Sequence, residues 1–301
     1  MEDTLFNRRS MIKAAAGLGA ISTAFATTGQ VAQAGSHSAT PKEGLISIHK
    51  LGPVTFHTYT SPEYSGMVNA HVIETTNELY LIDTQFVQAL ASEFSSYVDS
   101  LGKPIQRIYL SHSHPDHLFG AVQFPDVEFV TSDEVLAEAN SAMDIYKARK
   151  DALKDTTAIV LPAGGLTIGT ETWDGIEVQI GQVLDAEAAA ELTFHIPEAG
   201  LYVAQDLLYA NAHTFPINNS ENWLAALEDM QNLEGIKVFG SGHGLPGAPG
   251  LIDDAIAYLN FQNQAIAENN DGESATAAIL AKYPGYGAKD VLSFLSYRYQ
   301  K

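Results

Sequence analysis

Cysteine is absent from this 301-residue chain. That excludes disulfide staples, a thiolate nucleophile and thiolate-held zinc or iron–sulfur centres, so any metal must sit among imidazoles and carboxylates. Positive charge is scarce too: 16 Lys and Arg stand against 36 Asp and Glu, a formal net charge of −20. Such a surface repels polyanions, which argues against nucleic acid and anionic membranes as partners. What is present is apolar material, 46% of residues with only 17% charged, enough to bury the core of one large domain.

The first 34 residues read as an address. Asn7-Arg8-Arg9-Ser10-Met11-Ile12-Lys13 precedes a mildly apolar, Ala- and Gly-rich stretch from Ala14 to about Ala26, then Ala32-Gln33-Ala34. The apolar stretch is too short to span a bilayer. Charged region, apolar region and small-x-small site in that order predict a cleavable signal, and the arginine pair resembles the bacterial twin-arginine export type. The expectation is cleavage after Ala34, a periplasmic or secreted mature protein, the twin-arginine machinery as a partner, and no integral membrane association afterwards. Removing residues 1–34 takes away Arg8, Arg9, Lys13, Glu2 and Asp3, leaving 13 basic and 34 acidic residues, net −21.

Residues 35–44, with Ser, Pro and Lys, read as a solvated lead-in, and the catalytic domain is expected over 45–301. Strand-like runs recur at Ile46–Leu51, Val54–Tyr59, Val68–Glu74 and Leu79–Asp83. Phe86, Leu90, Phe94, Val98 and Leu101 then form the stripe of an amphipathic helix ended by Gly102 and Pro104. Further strands are expected at Ile105–Leu110 and Val127–Thr131, with a helix from Ser132 to about Asp155. A strand pair follows at Ile159–Ile168, then strands at Ile176–Ile180, Leu192–Ile196 and Leu201–Ala204. After a helix capped by Ser220 come strand Lys237–Phe239, the turn Ser241-Gly242-His243-Gly244 and a C-terminal helical region from Leu251. Interleaved strand groups and helices without a short repeat predict a layered α/β or α+β domain.

Three of the ten histidines fall within six residues, His112-Ser113-His114-Pro115-Asp116-His117, directly after an apolar strand. A strand end followed by a proline-containing loop can turn successive side chains into one cavity, whereas a regular strand would alternate them between faces. Imidazole and carboxylate suit zinc, manganese or ferrous iron. Four donors this close exceed the needs of one tetrahedral ion with an open position, and suggest two ions sharing a water.

The run His-x-His-x-Asp-His after a strand resembles the signature of the metallo-β-lactamase superfamily, and other pieces agree. Leu81-Ile82-Asp83-Thr84 resembles that family's strand-end aspartate, which helps orient ligands; Asp206 resembles its bridging carboxylate; His243 in Gly-His-Gly resembles its last ligand of the second ion. The resemblance implies an αββα sandwich with the site at one edge between two sheets. It also implies His112 and His114 on the first metal, Asp116, His117 and His243 on the second, and Asp206 on both. One position departs from the pattern: the family's third histidine on the first metal, about nineteen residues before the bridging aspartate, is missing. Counting back from Asp206 gives Glu187, the preferred substitute because a carboxylate ligates zinc better than a neutral amide. Gln182 after Gly181 is the rival, and His195, inside a strand, is less favoured. His213 in Ala-Asn-Ala-His could contact substrate or donate a proton. His57 and His71 read as packed or exposed strand residues.

The expected function is hydrolysis of an ester, lactone or amide-like bond in a small molecule by a metal-bound hydroxide. Asp116 and His213 are the catalytic candidates, with two zinc ions per chain; one ion, or manganese or iron, is the alternative. The resemblance allows β-lactams, lactones, thioesters and phosphate or sulfate esters. Competing classes are an iron-dependent redox enzyme on the same fold and a non-catalytic periplasmic metal-binding protein.

Overall fold

The computed structural model describes residues 41–215 and 220–299. The signal expected over 1–34, and the lead-in up to residue 40, lie outside the described residues. Within them, eleven strands form two sheets. The first has the order β1 (Leu45–Leu51), β2 (Val54–Thr60), β3 (Asn69–Glu74), β4 (Leu79–Ile82), β5 (Ile105–Tyr109), β6 (Phe129–Val130). Its first four strands are antiparallel meanders, and β4, β5 and β6 are parallel. The second runs β11 (Val238–Gly244), β10 (Leu201–Ala210), β9 (Ala190–Ile196), β8 (Ile176–Leu184), β7 (Gly169–Trp173), antiparallel except for the parallel pair β10 and β11.

Period-two alternation assigns the faces. Ile73, Tyr80, Ile82 and Tyr109 of the first sheet pack with Val178, Ile180, Phe194 and Val203 of the second, filling the space between the sheets. Their neighbours Val72, Leu79, Leu81 and Ile108 point the other way, against Leu90, Phe94 and Val98 of helix α1 (Gln88–Ser100). Ala204 and Leu208 face outwards from the second sheet onto Trp223 and Leu227 of a later helix (Glu221–Gln231) and Ile252 and Leu259 of another (Gly250–Glu268). The layering is therefore αββα. Because the central strands are covered on both faces, they read as near-continuous apolar runs.

Two expectations need correction, and one strand was not expected. The strand pair at Ile159–Ile168 does not form: that segment follows β6 through a single bridge, Val130 to Ala163, and two further backbone bonds to Thr131. A strand not expected, β7, lies beyond it, and only Trp173 among its five residues is buried. An edge strand of mostly exposed polar residues carries almost no apolar alternation to detect. The helix from Ser132 is two helices, Asp133–Ser141 and Met143–Leu153, broken at Ala142. Ser141 Oγ donates to the Glu138 carbonyl there, the back-bonding that bends helices.

Trp173 closes the open edge of the core, stacked on Tyr80 at 4.5 Å and on Tyr109 at 5.0 Å, with its indole N–H donating to Glu171. Among the described residues no helix is long and apolar enough to cross a membrane. Truncating a fully buried tryptophan typically costs about 3–5 kcal/mol. Trp173→Ala should accordingly lower the melting temperature of the metal-free protein substantially. A thermal scan showing no change would mean this edge is not part of the cooperative core.

Candidate metal centre

The site forms where the ends of strands from both sheets meet. Strand β5, held between β4 and β6, ends at Tyr109, and the chain enters a loop carrying His112 and His114. His114 is extended (φ −68°, ψ 140°), as a residue before proline must be, and Pro115 opens the short helix α2 (Pro115–Leu118). That helix turns Asp116 and His117 back toward the loop. Strand β10 supplies Asp206, which lies within the strand and not after it, and β11 supplies His243, also inside a strand where a turn was expected. Glu187 sits at the tip of the β8–β9 hairpin, which is closed by the bonds Asp185 N–H to Ala189 O and Ala186 N–H to Ala188 O.

These elements bring the candidate donors together. His112, His114, Glu187 and Asp206 each offer one ligand atom, all within 4.8 Å of one another, and Asp116, His117 and His243 form a second such group. Asp206 joins them: Oδ2 is 3.5 Å from His112 Nε2 and 3.2 Å from His243 Nε2, while Oδ1 is 3.1 Å from His117 Nε2. His114 Nδ1 lies 3.4 Å from Glu187 Oε2, and Asp116 Oδ2 is 3.5 Å from His243 Nε2. His195, bonded to Gln179, belongs to neither group, and Gln182 is half-buried on β8 with its Oε1 unpartnered. Glu187 is buried, not the exposed acid its sequence context allowed.

The donor set fits divalent cations. His112 Nε2, His117 Nε2, Glu187 Oε2 and Asp206 Oδ1 are buried without a hydrogen bond. Such groups cost free energy unless something satisfies them, and here they converge on one another. Their opposite ring nitrogens are committed: His117 Nδ1–H donates to Asp83 Oδ2 (2.9 Å), His243 Nδ1–H to the Gly66 carbonyl (2.7 Å), and His112 Nδ1–H to Ser111 Oγ (2.8 Å). Ser111 Oγ in turn donates to Asp83. Fixing the tautomers this way leaves each Nε2 lone pair free for an ion.

Without an ion the cluster holds protons instead. Burial disfavours charge on His114, but the Glu187 carboxylate, with Asp206 and Asp116, outweighs it and raises the ring to about 9. Burial and then Asp206 push Glu187 up to about 7 against the opposing pull of His114. His117 is raised strongly, burial being overcome by Asp206 and Asp116, and Asp206 is held well below the usual carboxylate range by its imidazoles despite burial.

Two side chains at the site went unforeseen. The Tyr209 hydroxyl donates to Asp206 Oδ2 (2.9 Å), lies 3.3 Å from Glu187 Oε1, and its ring stacks on that of His243 at 4.5 Å and 3°. Strict alternation along β10 separates it from Asp206; register shifts in the β10–β11 pairing bring it round. Glu191, buried on β9, accepts from the Leu207 N–H and lies 4.0 Å from His112 Nδ1, its carboxyl raised well above the usual range by burial and by Asp206. Its only sequence signal is an acid within the apolar run of β9. His213, also buried, pairs with Tyr258 (2.9 Å) and packs near Tyr286, outside both ligand groups, and burial lowers its ring to about 4. His57 and His71 are both packed strand residues.

Comparison with known sequences places this geometry. The Metallo-beta-lactamase superfamily profile matches residues 64–243, more than half of the chain. The chain belongs to that superfamily. Solved metallo-beta-lactamases share the fold: one from Pontibacter korlensis (TM-score 0.54, 19% identity, 72% of this chain and 99% of that one) and FIM-1 from Pseudomonas aeruginosa in a mono-zinc form (0.52, 16%, 73% and 96%). A third, from Hirschia baltica, gives 0.50 at 17% identity over 70% and 96%. A search of curated proteins found no match.

Two measurements follow for this superfamily member. Glu187→Ala should lower the metal content of the purified protein by about one ion per chain, and Gln182→Ala should leave it unchanged; elemental analysis giving the reverse would move the ligand to Gln182. Because His114 keeps its proton up to about pH 9 in the metal-free protein, an ion must displace it. Zinc affinity should therefore rise between pH 7 and 9 with proton release on binding, and a flat profile would remove His114 from the ligand set.

Proposed function

We propose that this protein is a metal-dependent hydrolase of small, neutral ester, lactone or amide-like substrates, operating with two ions. The observation that carries the reading is that two clusters of donor atoms, His112, His114, Glu187 and Asp206 in one and Asp116, His117 and His243 in the other, meet at Asp206, with His112 Nε2, His117 Nε2, Glu187 Oε2 and Asp206 Oδ1 buried and unpartnered. His112, His114 and Glu187 would hold one ion, Asp116, His117 and His243 the other, and Asp206 both. A bound metal pair supplies a water acidified to near neutral pH and polarises the bond under attack.

The chain's own residues do the rest. Asp83 holds His117 in its metal-facing tautomer, and the Tyr209 hydroxyl donates to Asp206 within reach of Glu187. His114, about one third exposed, is the cluster's face toward solvent and so toward substrate. The third carboxylate, Glu187, lowers the net charge of the loaded site by one relative to a histidine there, and it favours harder ions, so manganese or iron competes with zinc. The acidic surface disfavours polyanionic substrates. The Arg8-Arg9 leader supports twin-arginine export to the periplasm, with the mature chain starting after Ala34.

Metal identity and stoichiometry on the purified mature protein, with a panel of lactone, aryl-ester, β-lactam and phosphodiester substrates, tests this. His114→Ala and Asp206→Ala should each lose metal and cut turnover by at least about a hundredfold. Full metal content and activity in both variants would refute the site.

A further inference from the structure

Gln205 precedes the shared ligand Asp206, is fully buried, and has a left-handed backbone, φ +48°, inside strand β10. Non-glycine residues avoid that region unless their surroundings impose it. Here the conformation coincides with a register shift between β10 and β11 on either side of Gln205. Facing it across the gap between the sheets is Asp83, likewise left-handed at φ +61°. The two are joined: Gln205 Nε2–H donates to Asp83 Oδ2.

Both ends of that bond are committed elsewhere. On the first sheet, Asp83 also accepts from His117 Nδ1 (2.9 Å), Ser111 N–H (2.7 Å) and Ser111 Oγ (2.6 Å). On the glutamine side, Oε1 accepts from His71 Nε2–H (2.7 Å), and His71 Nδ1 accepts from Thr58 Oγ1 (2.8 Å). His71 Nε2 also faces the Ser241 carbonyl (3.1 Å), which can only accept, so Nε2 carries the proton and the direction of this chain is fixed. The amide can therefore present only its NH2 to Asp83. Its own backbone continues into Asp206, whose Oδ1 stands 3.1 Å from the same His117.

We propose that Gln205 is a positioning residue: by bonding Asp83 it sets the distance between His117 on the first sheet and Asp206 on the second, and so the geometry of the metal pair. The inference rests on the metal-centre reading above. Gln205→Gly keeps the left-handed turn without strain and removes the tie to Asp83 together with the acceptor for His71. Gln205→Glu keeps the shape and the bond to His71 but sets two carboxylates against each other.

The probe is Zn2+ alone, titrated into metal-free full-length protein in competition with a chromophoric chelator. Each variant should bind the more weakly held ion tenfold or more less tightly, the range expected for residues that orient ligands. In an Asp83→Asn background, Gln205→Gly should cost little further affinity, because the tie acts through that carboxylate. Unchanged affinity in both single variants overturns the proposal. So does an additive loss in the double variant, or a lower melting temperature of the metal-free protein without an affinity change, since either marks a structural role alone. If one variant fails to fold, the other still decides. Failure of the wild-type protein to bind Zn2+ would instead sink the metal-centre reading.

Discussion

Asp206 holds its charge where water does not reach, at the end of a strand bundle with apolar layers on both sides. Removing a carboxylate from water costs several kcal/mol even after relaxation, and only opposite charge and hydrogen bonds at close range offset it. Three imidazole nitrogens and the Tyr209 hydroxyl approach its two oxygens, drawn from the loop after β5, from α2, from β11 and from β10 itself. That requirement ties the two sheets together at one end. It also explains why the adjacent backbone tolerates strain at Gln205 and why position 242 is a glycine: a Cβ there would overlap Asp206 Oδ1 and lie 2.7 Å from its backbone nitrogen.

The same constraint decides what the sequence could reveal. The two-faced strands β4 and β10 announce themselves as largely apolar runs, and the stripe of α1 is unambiguous, so the sandwich was readable. His112, His114, Asp116 and His117 were readable because one loop gathers them, and Asp206 and His243 through the resemblance. Edge strand β7 was not, because exposure on both faces erases its pattern. Tyr209 escaped for a different reason: its approach to Asp206 depends on an irregularity in pairing that local sequence does not encode. Glu187 was placed by counting, and its burial comes from the fold of a hairpin tip.

Buried acids and surface acids act differently in this protein. The net charge of −20 repels anions at long range and is screened by salt, while the cluster at Asp206 is shielded from screening and acts on groups a few ångströms away. Among the buried acids roles diverge again with environment. Asp206, ringed by imidazoles, stays ionised; Glu191, facing the Asp206 and Glu187 carboxylates, is driven toward its neutral form.

Of the seven candidate ligands, six belong to strands or to the loop and helix that directly follow β5, and their places are set by the core. Glu187 rides instead on a three-alanine hairpin tip, Ala186-Glu187-Ala188-Ala189, beside the exposed Leu184. Loops of this kind accept insertions and deletions that sheets refuse. The donor set of the first site thus depends on a hairpin tip and not on a strand: a substitution that removes the Glu187 carboxylate while keeping the buried Ala186 and Ala188 would leave both sheets in place and take one donor from the proposed centre. This gives evolution or an engineer a route between chemistries that never passes through an unfolded intermediate sequence.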